Sequence, residues 1–264
     1  VDEPRPPALF APQYPSLQQI TKAIRKLRED DRVGGMALNL GSLNCGLATV
    51  EEIRWALDDF ALSGKVLIIY GETLGNKEYY LASVADEIYM SPAGILELTG
   101  LSMTVGFYKE LLDKLGIVAE MHNIGQYKNA TDVMTREGMS QAHREALNSL
   151  LDDIYNEYIA GASVYRELEG DELEELIDRG PFTAEQAYRE KLVDSLMYPD
   201  QIEEVVRKLY GKKFRVEELS DHWEYREYLT NWGNPLAKKI ALIYAEGVIV
   251  QGESGYGLLD GKLL

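Results

Sequence analysis

The chain has 264 residues, 45% of them apolar and 27% charged, which is enough for one large or two small domains with a sizeable core. That composition excludes a disordered, collagen-like or disulfide-scaffold protein. The 44 acids against 27 bases give a formal charge of −17, which argues against nucleic acid as a partner, because a phosphate-binding face has to be basic; the acidity reads as solubility.

Residues 1–15 hold five of the nine prolines and read as an extended stalk or linker, following a segment that has been removed. Ser16 then stands as the N-cap of a helix through about Asp30, with Leu17, Ile20, Ile24 and Leu27 on one face. The run 34–40 reads as a buried strand and GSLNCGLA (41–48) as a turn. Thr49 with Glu52 resembles a capping box opening a helix to about Ser63, which Gly64 ends. KVLIIYG (65–71) predicts a second buried strand, followed by a turn and a helix over about 75–85. A short strand EIYM (87–90), the SPAG turn (91–94), a strand near 95–99, a helix over 106–115 and a strand IVAEMHN (117–123) come next. Strand and helix alternate at short spacing here, the pattern of an α/β fold with a largely parallel sheet.

The texture changes after about 138. Ala142, Ala146, Leu150, Ile154 and Tyr158 recur at helical spacing behind a Ser140 cap. Three shorter helices are predicted near 171–178, 183–190 and 199–210, with Thr183 capping the second. Residues 238–253 read as a new strand pair with little chain after it, the beginning of a second α/β unit that has been cut away. The division that results is a stalk (1–15), an α/β core (16–137), a helical extension of the same domain (138–211), a connector (212–237) and the start of a truncated repeat (238–264).

The chemistry-bearing residues are sparse. With one cysteine, Cys45, neither an intramolecular disulfide nor a Cys-based zinc site can form, and Cys45 reads as a small space-filler in a turn. His122, His143 and His222 are scattered with no HExxH spacing, so no metal is implied, and His122 reads as structural, in the strand before a lysine loop. There is no GxSxG elbow, P-loop, dinucleotide GxGxxG or kinase signature, and no cofactor is implied. Tyr155, Tyr158, Tyr165 and Tyr188 read as packing or oligomer contacts. No run of about 18–20 apolar residues is present to span a membrane. The segment NIGQYKNATD (123–132) is the informative one, because it presents Lys128 just past a predicted strand end, where α/β folds gather their sites. A lysine acts as a general base when its pKa falls from ~10.4 to roughly 7–8, and Ile124, Tyr127 and Ala130 are the expected low-dielectric walls.

Three stretches carry a family resemblance. EYYLASVADEIYMSPAGILELTGLSMTVGFYKELLDKLGI (78–117), GQYKNATDVMTREGMSQAHRE (125–145) and ALIYAEGVIVQGE (241–253) resemble the amino-terminal half of the long-form signal peptide peptidase A (protease IV) family. The resemblance runs over about residues 16–253 and is weakest at 212–237. It implies a repeat of the crotonase/Clp-protease type, two per long chain, and a serine peptidase working through a Ser-Lys dyad without histidine. Lys128 matches the general base in the family's GxYK motif. The nucleophilic serine belongs to the second repeat, outside this chain.

The same resemblance aligns GNKEYY (75–80) with the nucleophile motif, placing Asn76 where the serine would be, and GSLNCG (41–46) with the oxyanion turn, without its paired glycines. The fragment is therefore expected to be inactive alone. Departures also occur around the lysine: Asn129 replaces the family's Ser, Asp132 stands near its Glu, and Val133 and Met134 replace Pro-Phe. The family implies hydrophobic signal-peptide substrates, a homo-oligomer (tetramer in the long form) and the periplasmic face of the bacterial inner membrane, through an anchor absent from this chain. The alternative is a catalytically inactive crotonase-like oligomerisation module.

Overall fold

A computed structural model describes residues 15–166 and 168–210. The expected arm (apart from Pro15), the connector at 212–237 and the strand pair at 238–253 lie outside the described residues. Chain order begins with α1 (Leu17–Glu29), β1 (Gly35–Leu40), α2 (Leu47–Ala61), β2 (Val66–Gly75), α3 (Asn76–Ala82) and β3 (Glu87–Glu97). It continues with α4 (Lys109–Lys114), a 3-10 turn at Asn129–Thr131, α5 (Asp132–Thr135), α6 (Gln141–Arg166) and α7 (Gly170–Arg179). β4 (Phe182–Thr183), α8 (Ala184–Arg189), β5 (Ser195–Leu196) and α9 (Pro199–Tyr210) complete it.

The sheet is mixed but mainly parallel, as the strand–helix alternation predicts. β1, β2 and β3 pair in parallel in that order. β3 then pairs antiparallel with β4 at Ile95–Leu96 and parallel with β5 at Tyr89–Met90. The fold class is thus α/β. The block after 138, read as wholly helical, contributes these two short strands. The SPAG turn is an irregularity inside one long strand: Gly71 pairs with Met90 but Thr73 with Ile95, so residues 91–94 bulge out.

Local chemistry explains the helix ends. The Ser16 hydroxyl accepts the Gln19 N–H while the Gln19 side chain takes the Ser16 N–H, a complete capping box. Thr183 and Gln186 form another at α8. Helix α2 differs from expectation. Its N-cap is Gly46, and Thr49 already lies in the first turn, donating its N–H to the Gly46 carbonyl. Lys65 closes α1 from outside, its ammonium donating to the carbonyls of Leu27, Arg28 and Asp30.

The core lies between the sheet and α2, α3, α6, α7 and α8, around Leu57, Phe60, Leu67, Ile69, Tyr79, Ile88 and Leu176. Arg54 crosses it. Its guanidinium donates to the Tyr80 carbonyl, to Ser83 Oγ at 2.8 Å and to the Gly161 carbonyl at 2.5 Å, and lies over the Tyr80 ring. A buried cation survives only when its donors are satisfied, so this network joins α2, α3 and α6. Gly161 is required there, because a Cβ would stand 2.6 Å from the Tyr80 ring. Tyr158 stacks on Tyr80 with ring centroids 5.5 Å apart, a packing role as expected.

Candidate active site

Two places in the fold answer to the motifs. The first is the junction of β2 and α3. Asn76 is the first residue of α3, and both ends of its amide are used: Nδ2 donates to the Gly100 carbonyl at 2.7 Å, and Oδ1 accepts the Thr99 N–H at 3.1 Å. Facing it is the loop 41–46. Leu43 N–H donates to Glu78 Oε1 at 2.6 Å, and the Lys77 ammonium donates to the carbonyls of Leu43 (2.7 Å) and Cys45 (3.0 Å). Glu78 is buried, and its other oxygen sits against Gly75, where a Cβ would approach to 2.8 Å. Cys45 is half-buried and packs against the core, as a space-filler should. The sequence pointed to Asn76 and the turn, but not to Lys77 or Glu78. Their spacing matches any helix start, and their partners lie more than thirty residues away.

The second place is the loop carrying Lys128. Lys128 precedes the 3-10 turn, and its own side chain is exposed. Its N–H donates to the Gly125 carbonyl at 3.2 Å, and its carbonyl accepts from Asn123 Nδ2 at 3.0 Å. Gly125 has φ +107°, a conformation other residues rarely take. Residues 117–123, expected as a strand, form none. The free edge of β3 is already used by β4 and β5, so this apolar run finds no partner there. His122, expected to be structural in that strand, is exposed. The expected low-dielectric walls fail as well: Ile124 is 93% exposed, Tyr127 55%, and Ala130 also faces outward. Apolar exposure continues along the arm through Tyr108, Leu111, Leu115 and Val118, and α4 buries nothing.

Just past the lysine the chain re-enters the fold through a polar cluster that the sequence did not reveal. Asp132 is buried and accepts the Ser140 hydroxyl at 2.7 Å, while Ser140 Oγ caps α6 by accepting the His143 N–H at 3.2 Å. His143 is also buried, its Nδ1 lies 3.6 Å from the same Asp132 oxygen, and its ring meets Phe107 edge-on. A separate polar cleft of about 510 Å³ opens beside the Thr99–Gly100 segment, lined by Asn148, Asp152, Tyr155 and Asp178 among others, and does not include Lys128. Among the described residues, no group of three or more His, Cys, Asp or Glu side chains is placed to hold a metal ion.

An α/β sheet with a polar strand–helix junction and a lysine on a separate loop defines the class of molecule but not its chemistry. The comparison with known families adds the family. The profile of peptidase family S49 matches residues 60–213, more than half of the chain. The chain belongs to peptidase family S49. It is similar to protease 4 of Salmonella typhi, with 31% identity over 94% of this chain and 42% of that protein. It is also 31% identical to the chloroplastic serine protease SPPA of Arabidopsis thaliana, over 74% of this chain and 29% of that one. The chain therefore spans well under half the length of these relatives. Among solved structures it is similar to a membrane-bound stomatin-specific protease (14% identity, 73% of this chain, 78% of that one, TM-score 0.44). An enoyl-CoA hydratase/carnithine racemase from Magnetospirillum magneticum is another (14% identity, 88% and 76%, TM-score 0.41). At these scores the α/β class rests on the sheet itself.

Proposed function

We propose that this chain is the lysine-bearing repeat of a Ser-Lys peptidase that degrades cleaved signal peptides, with Lys128 as general base for a serine on a second repeat. Family membership supports the peptidase class. The observation that carries the finer reading is the position of Lys128, exposed on a loop whose backbone is fixed at both its N–H and its carbonyl. In the reaction, neutral Lys128 takes the proton of the attacking serine hydroxyl as it adds to the peptide carbonyl, then returns it to the leaving amine. Amide donors for the tetrahedral oxyanion come from the repeat that carries the serine. The desolvation a lysine base needs comes from the surface that covers this loop, since Ile124 and Tyr127 are largely exposed.

In this reading the chain has no nucleophile at the position of Asn76, and it is inactive alone. Apolar signal peptides are the substrates, and the assembly is a homo-oligomer on the periplasmic face of the inner membrane. Among the described residues no helix is long and apolar enough to cross a membrane. The exposed apolar arm also favours a second reading, an inactive assembly module. Lys128→Ala in the full-length protein separates the two. A drop in peptidase rate of about 10²–10⁴ supports the base. Unchanged activity rejects it, and the assembly reading then stands.

A further inference from the structure

We infer that Asp132 is a positioning residue, which with Ser140 and His143 clasps the Lys128 loop onto the first turn of α6. The inference rests on the reading of Lys128 as the base. After Leu98 no residue is buried until Asp132, so the arm holding Lys128 leaves the core for more than thirty residues and is pinned again four residues past the lysine. The pin is a carboxylate, not an apolar side chain. A buried carboxylate is tolerated when hydrogen-bonded, and its bonds are directional where apolar contacts are not.

The clasp is wired rather than merely packed. The Ser140 hydroxyl that donates to Asp132 also caps α6, so the height of the carboxylate is set by the helix start. His143 Nδ1 lies 3.6 Å from the same oxygen, and this buried nitrogen has no hydrogen-bond partner among the described residues. Phe107 against His143, and Tyr108 N–H donating to the Val133 carbonyl at 2.7 Å, bring the near end of the arm to the same point. Tyr127 reaches Glu145 of α6 at 3.4 Å. Between Lys128 and Asp132 lies one 3-10 turn, and the four-residue α5 follows. Helices this short do not sustain themselves, so the clasp fixes them. Any shift of Asp132 passes directly to Lys128.

The test uses the full-length protein with Asp132→Ala, Ser140→Ala and Ser140→Thr, a peptide ester substrate, and amide hydrogen exchange over residues 123–131. Asp132→Ala and Ser140→Ala are expected to lower kcat by about tenfold or more with KM within about twofold, the pattern of a misplaced catalytic group. Exchange over the loop is expected to quicken by about tenfold, while Ser140→Thr keeps both readings near those of the parent. If Asp132→Ala leaves kcat and exchange unchanged, or lowers activity only in proportion to folded protein lost, the clasp is overturned. Should Asp132→Ala fail to fold, loop exchange in Ser140→Ala, which removes the hydroxyl donated to Asp132, decides, and an unchanged rate there overturns the clasp. Lys128→Ala distinguishes the two readings. If it is inactive while Asp132→Ala is fully active, only the clasp fails. If it stays active, the base fails, and loop exchange still judges the clasp.

Discussion

The β2–α3 junction and the Lys128 loop are both polar, yet the fold treats them in opposite ways. At the junction every notable polar side chain is spent on structure: Asn76 bridges to Thr99 and Gly100, Glu78 takes the Leu43 amide, and Lys77 ties down two carbonyls. At the loop the backbone is held while the Lys128 side chain is left facing outward. Fixed backbone with a presented side chain is how a fold offers a group to something outside itself. Side chains turned inward onto backbone are how it closes a place to chemistry. In the proposed reading this contrast has a meaning, because the resemblance aligns the junction with a nucleophile motif and Asn76 stands there.

That contrast can be broken by stability measurements on single variants. Glu78→Ala has the largest expected effect, about 1–3 kcal/mol, because it strands the Leu43 N–H beside a new cavity; the midpoint of urea unfolding reads it. Asn76→Ser is expected to cost about 1 kcal/mol, since one hydroxyl cannot span both the Gly100 carbonyl and the Thr99 amide, and to create no peptidase activity in this chain.

A smaller effect is expected at high pH. Burial, with the Asp58 carboxylate bonded to it, pushes the Tyr165 phenol up to about 12. Unfolded tyrosine ionises near pH ~10, so between about 10 and 12 the unfolded chain gives up a proton that the folded chain keeps, and stability falls as pH rises. Tyr165→Phe makes that alkaline decline shallower in thermal melts near pH ~9 and ~11. Smallest of all is the expected effect of Lys128→Ala on stability, an unchanged unfolding midpoint, since the side chain touches no core. A marked loss of stability there would erase the contrast.

The sequence made the helix starts legible where a side chain caps its own turn, as at Ser16, Ser140 and Thr183. It misplaced α2 because Thr49 and Glu52 imitate a capping box, whereas Gly46 begins the helix without a side-chain bond. The strands β1, β2 and β3 follow from apolar runs, but β4 and β5 are two residues each, too short to carry a period. Residues 117–123 have the composition of a strand, but the outer edge of β3 next to them in chain order is taken by β4 and β5, a pairing between distant segments that no local pattern contains. Lys128 was visible through its motif. The Asp132–Ser140–His143 cluster was not, because spacings of eight and three residues across a turn signal nothing until the chain has folded back.

The outward-facing stretch from Leu111 to Ile124 has a consequence for how such a protein tolerates change. Its side chains contribute almost nothing to the burial that holds the described fold together, so screens that select on folding alone are blind to it. Substitutions there would accumulate silently in a chain studied by itself and become visible only when the molecule is asked to meet something else.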